Sequence, residues 1–402
     1  MNGRWAYDWV QIMAHNLPLV WSVVIGSMLL MSSGLLIQKS PIQLLDAAWV
    51  LMSLFAMSGV AIKLFDSLKT AALLLIVSCF VWLSLLGTLA WFTVSLSSSS
   101  VLALVVVMTM VVGNLVHLLA TLLREMARGA FQHDAIAEAL KLNAMPILLS
   151  NTTTALGFLV AGFYHPQWLD MAWVVGLGAI ISYMAIVTWV PLGLLNWFLE
   201  FRVGHYDDRH GFLEVVKKMQ RFPVWLSSMV WLSLALLVFS LVYLSQFMTS
   251  LNAVWMMLLA CLGLLWLVWK DWQVSLMAIL SSLAAIVLVL TGYFSLQPVA
   301  ELSAMILIVP LGIVLDDSIH YFSRYLRSKQ GFFKSAEQCH RYALSTVGRP
   351  IWLTTQLLVV GLFVLAFHPH EWVAQASLVT LLATLLASYI MLLWLPAYQL
   401  KP

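Results

Sequence analysis

Long apolar stretches alternate with short polar connections along almost the whole chain. Each is about 18 to 25 residues long, the length that a helix needs to cross about 30 Å of hydrocarbon. We predict an all-α membrane protein with twelve transmembrane helices. The predicted spans begin near Leu17, Leu44, Ala71, Val101, Ile147, Asp170, Pro223, Ala253, Leu276, Leu302, Pro350 and Trp372.

Composition supports this class, because 62% hydrophobic and 9% charged residues exclude an ordinary soluble domain. The net charge of +3 reflects membrane topology, so no nucleic-acid partner is expected. No Walker loop, nucleophile elbow, zincin helix or dinucleotide fingerprint is present. The sequence therefore predicts no enzymatic activity, no cofactor and no bound metal.

The distribution of basic residues predicts the orientation, since cytoplasmic loops collect Lys and Arg. An even number of spans places both termini on one side. With both termini in the cytoplasm, every Lys and Arg except Lys39 lies on the cytoplasmic side or at its helix ends. We expect a multi-pass protein of the bacterial inner membrane with both termini cytoplasmic.

The second half of the chain repeats the polar landmarks of the first at an offset of about 203 residues. Equivalent positions six spans apart share one orientation, so the repeat is parallel. The predicted parts are a first six-helix repeat at 1–204, a cytoplasmic interfacial linker helix at 205–222 and a second repeat at 223–402. The linker begins with His205, Asp207, Asp208 and His210. Helix capping explains these residues better than a metal site does.

Two adjacent acids in the predicted tenth span carry the chemistry, in "GIVLDDSIHYF" from Gly312 to Phe322. An aspartate at a span centre costs roughly 2.5 to 3.5 kcal/mol, so a retained pair indicates function. The motif resembles the Gly-x-x-x-Asp-Asp signature of the resistance, nodulation and division (RND) superfamily. "SNTTTALGF", from Ser150 to Phe158, is similar to the MMPL-type exporter branch. The specific resemblance covers 105–198 and 304–398.

One feature departs from that family, whose members usually carry large extracytoplasmic domains after spans 1 and 7. Here the connections at 38–43 and 246–252 are too short to form domains. The chain is therefore expected to be an RND transmembrane core. It would work with a separate extracytoplasmic partner protein or directly from the lipid bilayer, and a homo-oligomer is compatible with either.

The repeat aligns Asp316 and Asp317 with Gly113 and Asn114, and His320 with His117. His320 lies one helical turn from both acids. Two carboxylates in a low-dielectric site resist being ionised together, which suits proton exchange. The resemblance implies that the fourth and tenth spans meet. The predicted proton relay comprises Asp316, Asp317, His320, Asn114, His117, Thr354 and Thr355, and the predicted hinge comprises Pro310 and Gly312.

Simpler interpretations exist for several of these residues. The acids could be a partly hydrated structural pair, because Arg324 marks the inner boundary only about 10 Å from Asp317. Thr354 and Thr355 could be packing contacts. In the outer motifs "YHPQW" and "FHPHEW", interface packing is favoured over substrate contact or over zinc binding by His368 and His370.

The leading functional hypothesis is proton-coupled export of a hydrophobic or lipid-like substrate. The alternative is a non-transporting membrane scaffold, or a lipid-sensing or sterol-sensing-like binding protein, that keeps a relic proton site. The two differ in whether Asp316 and Asp317 must exchange protons.

Overall fold

The computed structural model describes residues 4–37, 44–94, 96, 100–199, 211–220, 232, 235–240, 242–244, 251–296, 305–331 and 335–399. Within them the chain is overwhelmingly helical and contains no strand. The helices are α1 (Arg4–His15), α2 (Leu17–Ser32), α3 (Gly34–Ile37), α4 (Leu44–Phe65), α5 (Leu68–Trp91), α6 (Val101–Ala127), α7 (Gln132–Tyr164), α8 (Leu169–Met184), α9 (Val190–Asn196), α10 (Phe212–Gln220), α11 (Leu251–Trp269), α12 (Trp272–Leu296), α13 (Met305–Gly331), α14 (Ala336–Leu365), α15 (Glu371–Tyr389) and α16 (Leu395–Gln399).

Eleven helical segments in the described part of the chain are long and apolar enough to cross a membrane. They confirm the all-α membrane class. The seventh predicted span, near Pro223, lies largely outside the described residues, so the total of twelve stays a prediction. The residues His205, Asp207, Asp208 and His210 at the start of the linker also lie outside them.

Two helices begin well before the predicted start of their membrane span. The fifth span was expected near Ile147 and the eleventh near Pro350, but α7 begins at Gln132 and α14 at Ala336. Both helices continue through an internal proline, Pro146 and Pro350 respectively. An internal proline removes one hydrogen bond, and packing against neighbouring helices can outweigh that loss.

The internal repeat is visible in the turns that follow α4 and α11. Asp66 and Lys270 both adopt the left-handed conformation, with φ of 52° and 56°. Ser67 then accepts a hydrogen bond from the Thr70 amide, and Asp271 accepts one from the Val274 amide. Positive φ is uncommon for non-glycine residues, so two such turns at equivalent positions mark two copies of one unit.

A second shared feature lies near the ends of the two repeats. The helix that starts with α8 passes through a π-helical segment at Ala185–Trp189, and the helix that starts with α15 passes through one at Ile390–Trp394. Each segment is followed within two residues by a proline, Pro191 or Pro396. Such π segments widen a helix locally and are frequent near functional sites.

The fourth and tenth spans form the centre of the molecule. The apolar segment of α6 is 100% buried and that of α13 is 89% buried, whereas the first span is 11% buried. Helices α6 and α13 pack against each other, with α7 and α14 on their flanks, which confirms that the two spans meet. Helix α4 packs on α14, and its counterpart α11 packs on α7. One helix of each repeat therefore packs against the other repeat.

Helix α10 covers part of the predicted linker. Val216 is buried, and the Gln220 side chain donates a hydrogen bond of 3.2 Å to the Ala397 carbonyl. Lys217 and Lys218 are exposed on the opposite side. This is the amphipathic pattern expected of a helix at an interface, although the boundaries of the predicted parts stay a prediction.

Candidate functional site

The two acids lie on α13 where it crosses α6. Asp317 is 5% exposed, and the side chain of Asp316 is 17% exposed. Consecutive helical residues point about 100° apart, so the two carboxylates face different neighbours. A cavity with room for about one water molecule lies against Asp316, lined also by Ser150 and Thr154.

Two histidines, one from each repeat, lie between the acids. The imidazole rings of His117 and His320 are stacked, with centroids 3.7 Å apart and planes within 8°. Nε2 of His117 is 3.7 Å from Oδ1 of Asp317, and Nε2 of His320 is 3.6 Å from Oδ1 of Asp316. Each acid is therefore paired with a different histidine, and one pair spans the two repeats.

Hydroxyl groups of the second repeat surround Asp317. Oγ1 of Thr354 lies 3.2 Å from Oδ1 of Asp317 and 2.8 Å from the Ile351 carbonyl oxygen. Oγ of Ser388 lies 3.5 Å from the other carboxylate oxygen. Each hydroxyl has one hydrogen, so it donates to an ionised Asp317 or, when Asp317 carries a proton, accepts from it and donates elsewhere. These groups can follow the proton without moving the backbone.

Thr355, the second threonine of the predicted relay, lies one hydroxyl further from Asp317 than Thr354 does. Its hydroxyl donates to the Ile351 carbonyl and also lies against the Ser388 hydroxyl. Thr355 therefore reaches Asp317 only through Ser388, whereas Thr354 touches the carboxylate directly.

Asn114 occupies the position equivalent to Asp317. We predicted that it would contact the acids, but its amide bonds two other side chains. Its amide donates to Oδ1 of Asn151 at 2.9 Å and to Oγ of Ser182 at 3.1 Å. At the offset of 204 set by Pro146 and Pro350, Asn151 corresponds to Thr355. The first repeat thus holds a neutral copy of the Asp317 site, in which an amide donates where the carboxylate accepts.

Glycines allow the close approach of the helices here. The hydroxyl of Thr154 on α7 donates to the Gly312 carbonyl at 2.8 Å. A β-carbon at Gly312 would lie 2.9 Å from the Thr154 methyl carbon, so a side chain there would push α7 away. Close packing therefore accounts for Gly312. Pro310 lies within the continuous helix α13, and a hinge at these residues stays a prediction.

Sequence reasoning treated Arg324 only as a boundary marker and missed its burial. It is 2% exposed, and its Nη2 donates to Oδ1 of Asn143 at 3.0 Å. Asn143 in turn donates to the Thr121 hydroxyl. The spacing of Asp316, His320 and Arg324, four residues apart, places them on one helix face and could have revealed this. The buried, positively charged Arg324 therefore lies between the cluster and the predicted cytoplasmic side.

No protein-family model matches the sequence, and no curated protein matches it. Solved structures are similar in fold. SecDF from Thermus thermophilus, a translocon-associated membrane protein, has a TM-score of 0.68 at 13% identity, over 88% of this chain and 61% of that one. SecDF in its super-membrane-facing form has a TM-score of 0.64 at 13% identity, over the same shares.

The hedgehog release protein Disp from the water bear Hypsibius dujardini is also similar. Its TM-score is 0.62 at 10% identity, over 89% of this chain and 71% of that one. The chain thus spans about three-fifths of the length of SecDF. The chain therefore shares the all-helical membrane fold of these solved structures.

Proposed function

We propose that this chain is an RND-superfamily transporter of the MMPL-type branch that uses protons to move a hydrophobic or lipid-like substrate. The observation that carries the proposal is the buried cluster of Asp316, Asp317, His117 and His320 at the contact between the two repeats. Charged groups in a membrane interior are expensive, and those that persist mark ion or proton pathways. The hydroxyls beside Asp317 can bond either of its protonation states.

Movement of a proton through the membrane potential to this position supplies enough free energy to drive a conformational change. Moving one unit charge through 100 mV is worth roughly 2.3 kcal/mol, which biases an equilibrium between two packings of the repeats. Since His117 comes from the first repeat and Asp317 from the second, loss of a charge changes the attraction between the repeats directly. Relative movement of the two halves is the expected response.

The substrate class is supported by a groove of about 540 Å³ between α7 and α8. Its lining is apolar except for a few polar groups, which include Asn151 and Tyr183. Asn151 also accepts the hydrogen bond from Asn114, which lies on α6, the helix that carries His117. A lipid-like molecule in this groove would therefore contact a side chain bonded to the centre of the molecule. Asn151 and Thr154 belong to the MMPL-like stretch "SNTTTALGF".

Location and partner are part of the same proposal. We place the chain in the bacterial inner membrane with both termini cytoplasmic, on the distribution of Lys and Arg. The short connections at 38–43 and 246–252 support cooperation with a separate extracytoplasmic protein.

The test is reconstitution of the full chain in lipid vesicles that contain a pH-sensitive dye. A fluorescent phospholipid and a fluorescent fatty acid serve as substrate probes. An imposed pH gradient should drive probe movement, and probe movement should carry protons. Asp316→Asn and Asp317→Asn should abolish both, because Asn is nearly isosteric but cannot take up a proton. Asp134→Asn, at an exposed position on α7, is the matched control and should behave as wild type.

The same experiment distinguishes the scaffold or sensor hypothesis. A sensor binds the lipid probes but moves neither probe nor protons, and its binding survives both substitutions. Wild-type probe movement that persists at full rate in the Asp316→Asn/Asp317→Asn double variant would overturn proton coupling.

A further inference from the structure

We propose that the central Asp–His cluster also binds one divalent transition-metal ion, with Zn²⁺ as the test ion. The ligands are Nε2 or Nδ1 of His117 and His320 and a carboxylate oxygen of Asp316. One donor atom from each of these residues lies within 4.8 Å of the other two. Asp317 lies outside this group of three, with its Oδ1 3.7 Å from Nε2 of His117, so a water molecule would supply the fourth ligand.

The spacing of the donor atoms supports a metal better than it supports direct hydrogen bonds. The two Asp–His separations, 3.6 and 3.7 Å, exceed the 2.7 to 3.2 Å of a good N–H···O bond. In a tetrahedral zinc site with bonds of about 2.1 Å, neighbouring ligand atoms lie about 3.4 Å apart. A small side-chain shift would bring Nε2 of His320 and Oδ1 of Asp316 to that distance.

The cluster also leaves donor atoms without partners. Both ring nitrogens of His117 and both of His320 lack a hydrogen-bond partner, and each residue is 0% exposed. Oδ1 of Asp316 lacks one too. Buried polar atoms are normally satisfied, so these orphan atoms call for a bound species, and one nitrogen of each ring together with the carboxylate oxygen can face a common ion. A single cation can bind several of them together.

The chemistry of the donors selects the class of ion. Sodium, magnesium and calcium prefer oxygen ligands, whereas imidazole favours zinc, copper, nickel and iron. Two imidazoles with one carboxylate match a known zinc ligand set, and the carboxylates of Asp316 and the neighbouring Asp317 together balance a dication.

Binding requires one structural change. The lone pair of an imidazole nitrogen lies in the ring plane, so two rings that are parallel within 8° cannot both point at one ion. His117 and His320 must tilt apart, and their stacking must open. Both rings are fully buried, so this rearrangement costs free energy that metal binding must offset.

The consequence for transport rests on the proposed function. An ion on these donor atoms occupies the groups that would carry protons, so Zn²⁺ should stop proton-driven movement. The binding itself does not rest on transport, and it can be measured separately.

The experiment uses the full chain in detergent, without an affinity tag that contains histidine, after treatment with a chelator. Co²⁺ titration should produce the visible absorption of a tetrahedral site, and Zn²⁺ should displace it at one equivalent by calorimetry. His117→Gln, His320→Gln and Asp316→Asn should each weaken binding more than about 100-fold. His340→Gln is the matched control, because His340 is also buried in a span but pairs with the Tyr321 hydroxyl.

Thermal unfolding in the same detergent shows which variants are folded. If a histidine variant does not fold, the Asp316→Asn variant, which is the most conservative change, still tests the site. Absence of the Co²⁺ band in wild type, or equal binding by wild type and a folded Asp316→Asn variant, would overturn the site. If the wild-type protein binds metal but moves no protons, the transport proposal is refuted and the metal site is not.

Discussion

A β-carbon at Gly113 would lie 3.2 Å from Oδ2 of Asp316. Gly113 is the residue of the first repeat that aligns with Asp316. The first repeat thus lacks a side chain at the point where the second places an acid. The carboxylate of one repeat occupies space that the other leaves free.

Gly113→Ala should therefore disturb the acid more than the fold. Overpacking typically costs about 1 to 3 kcal/mol, and the better helix propensity of Ala returns up to about 1 kcal/mol. We expect a small loss of stability by thermal unfolding, but clearly slower proton uptake in vesicles as Asp316 shifts. Gly59→Ala is the control, because no atom lies within 4 Å of its β-carbon position. Equal effects of the two changes would contradict this account.

The neutral copy of the site predicts a coupled pair of substitutions. Asn114→Asp removes the donor to Asn151 and Ser182 and should cost about 1 to 3 kcal/mol. Asn151→Thr in the same chain places a hydroxyl donor, as at the equivalent Thr355, beside the new carboxylate, so the double variant should lose less than the sum of the single changes. A double-mutant cycle from thermal unfolding measures this coupling. Simple additivity would show that the two repeats do not share this geometry.

A pH-dependent contribution is expected from Asp271, in the turn between α11 and α12. Burial alone would raise the pKa of Asp271, but the 2.9 Å hydrogen bond from Lys329 and the amide of Val274 lower it below its ordinary value. A lowered folded-state pKa gives stability above the unfolded value of about 3.9, and that stability is lost as pH falls through the folded value.

Asp271→Ser separates the charge from the cap, since Ser67 already caps α5 at the equivalent position. At pH 7 the variant should lose less than about 1 kcal/mol, because Lys329 is half exposed. The difference from wild type should vanish in acid, where both are neutral. Asp271→Ala should lose about 1 kcal/mol more through the missing cap. Unfolding measured between pH 2 and 7 checks both, and a difference that grows in acid would refute the assignment.

The sequence was sufficient for the features that depend on local pattern. Span length and hydropathy predicted the helices, and the 203-residue offset aligned His117 with His320. Their meeting followed only from the resemblance to the RND superfamily. The partners of Asn114 were not predictable, because an amide in a span bonds whichever polar group lies nearest, and Asn151 and Ser182 come from two other helices. The burial of Arg324 was also missed, since a basic residue near the end of a span ordinarily reaches water.

Labelling from outside tests the predicted orientation. After the native residues Cys79, Cys261 and Cys339 are replaced, single cysteines near Gln38, Thr249 and Gln297 should react with an impermeant reagent in intact cells. Cysteines at Arg128, Lys217 and Lys334 should react only after the membrane is opened. Reaction of the second group in intact cells would reverse the orientation and place Arg324 on the extracytoplasmic side of the acids.

Thr354 gives the sharpest test of how Asp317 handles a proton. Its hydroxyl can donate to the carboxylate at 3.2 Å or to the Ile351 carbonyl at 2.8 Å, but not to both. Thr354→Val removes this donor, so the ionised state of Asp317 loses a hydrogen bond that is worth about 1.5 to 3 kcal/mol. Proton-driven movement in vesicles should slow at least about tenfold.

Two companion variants separate the hydroxyl from side-chain shape. Thr354→Ser keeps the donor and should stay near the wild-type rate, although it removes a methyl group from the packed site. Thr355→Val removes a neighbouring hydroxyl that reaches Asp317 only through Ser388, so its effect should be intermediate. A packing role for Thr354 predicts the opposite order, with the Ser variant the more damaged. Wild-type rates in a folded Thr354→Val variant would remove this hydroxyl from the proton path and leave Ser388 as the nearest alternative donor.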